Sequence, residues 1–152
     1  KSKSYVGCYV CEEWKYFSNF KAWMEKQDWQ GKHLDKDLLI PGNKLYSEEA
    51  CIFVTQTVNS FLTESNKARG QWPIGVHFNK EKMKFQAFCS NLLSKKRQHL
   101  GYFDTPEEAH NAWLTFKLEQ AKLLASQQSD PRVAAALIDR YENYTKYFGE
   151  NK

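Results

Sequence analysis

The segment TPEEAHNAWLTFKLEQAKLLAS, residues 105–126, constrains this chain more than any other stretch. Thr105 can accept the first exposed backbone N–H groups of a helix, Pro106 suits the first helical position, and Glu107 and Glu108 sit where the helix dipole favours acids. Behind that start, Ala109, Ala112, Trp113, Phe116 and Ala121 form a stripe of mixed small and large side chains, and the small ones permit close approach to a sheet. The sheet itself is predicted just upstream. WPIGVHF, KFQAFCS and RQHLGYF are short alternating or aromatic-rich runs separated by polar turns, the pattern of three antiparallel strands. The expected class is therefore α+β.

Charge singles out the same region. The chain has 152 residues and a net charge of +4, yet residues 1–66 hold 8 basic and 9 acidic groups and residues 102–152 hold 6 and 8. Residues 67–101 carry 8 basic groups and only Glu81, a net +7. Cations concentrated in one short segment are the footprint of a polyanion-binding surface. No run approaches the roughly 20 apolar residues of a membrane span, so no membrane partner is expected. Nor is there a secretory signal pattern, and a cytoplasmic location, in the host cell if the chain is phage-encoded, is expected. Of the four cysteines only Cys8 and Cys11 have ligand-like spacing, and a zinc site would have to recruit Cys51 and a distant histidine; Cys89 lies further still. Reduced thiols are expected rather than structural zinc.

Three segments are expected, 1–66, 67–128 and 129–152. The first opens with a short extended piece and then a helix with Trp14, Phe17, Phe20 and Met24 on one apolar face and Trp23 at its edge. Leu38–Ile40, ended by Pro41-Gly42-Asn43, and Ala50–Val54 read as two strands around a long polar loop, and Thr55 as the cap of a helix that buries Val58, Phe61 and Leu62. Beyond the loop at Ser129-Asp130-Pro131, a last helix is predicted over Val133–Phe148.

Within the first segment the polar residues gather where a strand meets a tight loop. Asp35 and Asp37 lie two apart, so on an extended strand they point the same way and could share a hard cation such as Mg²⁺. Asn59 falls on the helix after the second strand. LDKDLLIPGNKLYSEEACIFVTQTVN, preceded by CEEWKYFSNFKAWM, resembles phage-type HNH homing-endonuclease relatives, with a C-x-E-W-x-x-F-x-x-F-x-x-W helix ahead of a D-x-D, G-N-x-x-Y-S, F-V, N core, over about Tyr5 to Asn59. The resemblance implies a small strand–strand–helix (ββα-metal) module holding one Mg²⁺ or Mn²⁺ over a scissile phosphate. It implies Asp35, Asp37 and Asn59 as metal ligands, and the asparagine that holds the loop is either Asn43 or is lost to Ala50, depending on how the loop is aligned. The general base would be His33 or a member of the Asp35-Lys36-Asp37 cluster. In the common pattern a histidine follows the acidic residue, whereas here Lys36 follows Asp35, and a lysine acts as a base only with a strongly lowered pKa.

The middle segment resembles the sheet-plus-helix DNA-binding domain of the APETALA and ethylene-response type. Gly75-Val76, Lys84-Phe85-Gln86-Ala87 and HLGYFDTPEEA from His99 to Ala109 carry that resemblance, in order and spacing. It implies a sheet laid in the major groove of double-stranded DNA. Alternation independently turns Phe85 and Ala87 toward the helix and Lys84, Gln86 and Phe88 outward. The expected contact residues are Arg69, Gln71, Trp72, His77, Lys84, Gln86, Lys95, Lys96, Arg97 and His99. The function expected from the whole is a DNA-binding HNH-type endonuclease acting by metal-dependent phosphodiester hydrolysis; the alternative is a non-catalytic DNA-binding or regulatory protein with a degenerate HNH module.

Overall fold

The protein is described by a computed structural model over residues 6–63 and 70–149. These residues fall into two compact units divided between Glu64 and Ser65. Both mix strands with helices, so the α+β class holds, and the three-stranded antiparallel sheet is present. No helix among the described residues is long and apolar enough to cross a membrane.

In the first unit β1 (Tyr9–Val10) leads through a 3-10 turn at Glu13–Lys15 into α1 (Phe17–Glu25). β2 (His33–Asp35) pairs antiparallel with β4 (Ile52–Val54), and α2 (Gln56–Leu62) follows, capped by Thr55 Oγ1, which accepts from Val58 N at 3.2 Å. Within the intervening loop β3 (Leu45–Tyr46) pairs in parallel with β1, a contact that local pattern did not reveal. The first strand lies at residues 33–35 rather than at the apolar run 38–40. Asp35 Oδ1 accepts from the N–H groups of Asp37 and Leu38, at 2.9 and 2.7 Å, which turns the chain out of the strand. Leu38 is then buried as a loop anchor, not as a strand residue.

The core of this unit is aromatic. Trp14 and Trp23, with ring centroids 4.7 Å apart, pack with Cys51 and gather Phe20, Met24, Leu34 and Phe53 around them. Burial of one such side chain stabilises by about 1.5–3 kcal/mol. The inward stripe of α1 is thus centred on Trp23, and Phe17, expected inside, is 71% exposed at the helix start.

In the second unit β5 (Val76–Asn79), β6 (Lys84–Ser90) and β7 (Arg97–Phe103) form a meander in that order. α3 (Pro106–Ser126) crosses one face, capped as predicted by Thr105. Ala87 and Ala109 are fully buried beside Val76, so small residues bring helix and sheet together. Gly75 completes that approach: its φ is +81°, and an added Cβ would stand 2.3 Å from the Trp113 ring. The last helix is broken into α4 (Pro131–Glu142) and α5 (Tyr144–Phe148) at Asn143. α4 packs along α3, and Tyr144 rests against Trp113 and His110. His110 is buried with Nδ1 3.1 Å from the Ile74 carbonyl oxygen; a carbonyl only accepts, so this nitrogen carries the proton.

Candidate nucleic-acid interface

The helix covers one face of the sheet and leaves the other open. Register assigns the residues to that open face. His77 stands opposite Gln86, Asn79 opposite Lys84, Phe88 opposite His99, Gln86 opposite Tyr102 and Ser90 opposite Arg97. Cross-strand partners share a face, so His77, Gln86, Phe88, Arg97, His99 and Tyr102 form one surface. Its rings touch in sequence: Phe88 lies 5.9 Å from His77 and 5.0 Å from His99, and His99 lies 4.7 Å from Tyr102. Arg97 holds its guanidinium 4.0 Å from the Phe88 centroid, and Lys82 its ammonium 4.3 Å from that of Tyr102. Planar rings and forked donors on an open sheet can meet base edges and phosphates together.

A bulge in β7 makes this surface. Ala87 faces Gly101 but Phe88 faces His99, so Leu100 is an extra residue in the strand. Leu100 turns inward onto the Val76, Ala87 and Ala109 cluster. Strict alternation back from Tyr102 would have aimed Leu100 outward and hidden His99 and Arg97; the bulge reverses the parity and keeps all three polar side chains outside.

The turn before β7 carries Lys95 and Lys96, both exposed, with Lys95 in the left-handed region at φ 57°. Asn91 organises it: Oδ1 accepts from Leu93 N at 2.8 Å and Ser94 N at 3.2 Å, and its backbone N–H reaches Lys96 O at 2.9 Å. Leu92 N donates 2.8 Å to Oε1 of Gln120, a buried residue of α3.

Three expected contacts stand differently. Trp72 belongs to the helix side, edge-on to Phe85 at 4.8 Å within the buried cluster. Gln71 is exposed but precedes β5, which begins only at Val76 because Pro73 lacks an N–H and its carbonyl closes a turn onto Val76 N at 3.1 Å. Lys84 is outward, but its ammonium is paired with the Asp104 carboxylate. Arg69 lies outside the described residues. Phe88, already expected to face outward, supports Arg97. Tyr102 and Lys82 were missed, although period-two counting across KFQAFCS and GYF would have flagged Tyr102.

In the first unit the loop after β2 draws Asp35, Lys36, Asp37 and Asn43 together. Asn43 Nδ2 donates to the carbonyls of Lys36 and Leu45, each at 2.7 Å, and its Oδ1 accepts from Leu45 N, so it fastens both ends of the loop. Lys36 has a side chain only 12% exposed, and its Nζ lies 3.2 Å from Asp37 Oδ2. Burial pulls the Lys36 pKa down, but the charge and hydrogen bond of Asp37 outweigh it and leave it raised. Lys36 is thus held beside a carboxylate that favours its charged form. His33 is exposed at the start of β2 on the same face as Asp35, and Asn59 is half-buried on α2, which packs against β2.

The pair Asp35 and Asp37 does not share a strand face, because the strand ends at Asp35 and its carboxylate binds the Asp37 N–H. Asp35 Oδ1 accepts from two backbone N–H groups and Asp37 Oδ2 pairs with Lys36, so each carboxylate also orders the loop. Among the described residues no three His, Cys, Asp or Glu side chains gather as a ligand group. The four cysteines form no disulfide among the described residues, and burial pushes the Cys51 thiol up to about 11 and raises that of Cys89, which keeps both protonated and unreactive at neutral pH. Comparison of the chain with protein-family models, with curated proteins and with solved structures gave no match.

Proposed function

We propose that this protein binds double-stranded DNA, with the open face of the β5–β6–β7 sheet against the duplex and the first unit serving as a scaffold rather than a nuclease. One observation carries the reading: the β7 bulge gathers Arg97, His99 and Tyr102 with Gln86 and His77 on an uncovered face, within the most basic stretch of the chain. Arg97 and Gln86 have the forked donors and acceptors suited to guanine and adenine edges, while Lys95 and Lys96 suit phosphates.

A second reading, metal-dependent phosphodiester hydrolysis in the manner of an HNH nuclease with Mg²⁺ or Mn²⁺, is favoured by the strand, loop, strand and helix order of β2, β4 and α2. In that reading Lys36, whose Nζ pairs with Asp37, stands where the common pattern has a histidine, and the base would be His33 or an aspartate of the cluster. One experiment separates them. Supercoiled plasmid is incubated with the protein with and without Mg²⁺ or Mn²⁺, alongside Asp35→Ala and Asn59→Ala and a single-stranded competitor. Retention that resists the competitor, with the plasmid left intact, is the expected result. Nicking that vanishes in both variants would replace it with the nuclease reading, and no retention at low salt would overturn DNA binding altogether.

A further inference from the structure

We propose that the β6–β7 turn is a DNA-deforming tip, in which Leu93 enters a base step while Lys95 and Lys96 hold the flanking phosphates; this rests on the double-stranded DNA reading above. Leu93 is 75% exposed, the highest value among the large apolar side chains of the described residues, yet it sits in one of the most basic turns of the chain. Its position is built. Asn91 fixes the Leu93 and Ser94 N–H groups, the Asn91 to Lys96 backbone bond closes the turn, and buried Gln120 ties Leu92 to α3. An apolar side chain presented to water on a hydrogen-bonded turn beside Lys95, Lys96 and Arg97 is the composition of a wedge that unstacks bases and kinks a duplex.

The opposite turn provides the contrast. Met83 is also exposed, at 72%, but there Lys82 lies over Tyr102 and Lys84 is paired with Asp104. Lys95 and Lys96 make no ion pair among the described residues and remain available to phosphates. Reach agrees as well. β6 has 7 residues, about 23 Å at 3.3 Å each, nearly twice the ~12 Å width of a major groove. A hairpin laid across the groove therefore carries its tip to the backbone and the adjoining minor groove.

The test is ligase-mediated circularisation of a duplex of about 120 base pairs, shorter than the ~150-base-pair persistence length and so reluctant to close. The whole protein is compared with Leu93→Ser at concentrations that retard all of the duplex in a gel. Because Leu93 is exposed, the variant is expected to keep the wild-type circular dichroism spectrum and melting temperature. Wild type should raise the yield of circles about tenfold, and Leu93→Ser should return it to the protein-free level while still binding, with affinity lowered several-fold. Equal circularisation by both proteins, or wild-type binding without circularisation, would overturn the wedge and leave DNA binding standing. A folded Leu93→Ser that no longer binds at all would overturn it in favour of a simple anchoring contact. Failure of wild type to retard the duplex would remove the DNA reading itself.

Discussion

Gly75 shows how much a single backbone atom count can decide. Its φ of +81° is the left-handed region that residues with a Cβ avoid, and the space a Cβ would need is filled by the Trp113 ring. Gly75→Ala combines backbone cost with a clash against a buried aromatic on a rigid helix. We expect it to destabilise the second unit by about 3 kcal/mol. Urea unfolding followed by tryptophan fluorescence should show a lowered midpoint with an unchanged slope; an unchanged midpoint would mean that Trp113 is not fixed in this position. The glycine was legible in the sequence as part of the Gly75-Val76 pair. Its partner was not, because Trp113 is 38 positions further along the chain and nothing local joins them. Lys36 illustrates the reverse. Its departure from the expected histidine could be read directly, whereas its burial against Asp37, which fixes its protonation, required the folded loop.

Elements were legible where a cap and a period agreed. Thr105 and Thr55 both cap the helices assigned to them, β6 and β7 coincide with the runs KFQAFCS and RQHLGYF, and β5 overlaps WPIGVHF and extends one residue past it to Asn79. Breaks in elements were less legible. The apolar spacing of Leu137, Tyr141, Tyr144 and Phe148 continues across Asn143, but the helix does not, and α4 and α5 meet around Asp139. Asp139 accepts from Asn143 Nδ2 at 2.7 Å and from the Tyr147 hydroxyl. The Tyr147 hydrogen bond, supported by Asn143 and Lys146, lowers the Asp139 pKa below the ordinary value, and the same bond raises that of Tyr147. A carboxylate depressed in the folded state stabilises above its unfolded pKa of about 3.9 and loses that contribution as pH falls through its lower native value. Asp139→Asn should therefore lower the melting temperature at neutral pH by about 2–4 °C and shrink the gap to wild type below about pH 4. A gap that stays constant with pH would show that the carboxylate charge plays no part. The β7 bulge belongs to the same class of feature: Gly101 inside RQHLGYF hints at an irregularity, but the inward turn of Leu100 is seen only where α3 covers that face.

For the whole molecule, charge and surface have to be considered together. The stretch 67–101 holds a net +7, but folding distributes it unequally: Lys84 is paired with Asp104 and Lys82 lies over Tyr102, while Lys95, Lys96 and Arg97 stand exposed in and beside one turn. Binding to duplex DNA should weaken linearly in log salt, and Lys95→Ala and Lys96→Ala should each reduce the slope by about one, since each phosphate contact releases its own counterions. Lys84→Ala should change the slope by less than half of that, because its charge is already compensated. Fluorescence anisotropy of a labelled duplex between about 50 and 200 mM salt measures all three, and slopes unchanged in the first two variants would remove this surface from the interface. The sequence by itself determined the class of fold, the long capped helix, the sheet beside it and the place of the positive charge, because caps, alternation and charge counts are local properties. Only the tertiary structure decided which cations remain available and which strand residues face out. Those outcomes depend on packing between residues far apart in the chain: Asp104 against Lys84, Gln120 against Leu92, and α3 drawing Leu100 inward.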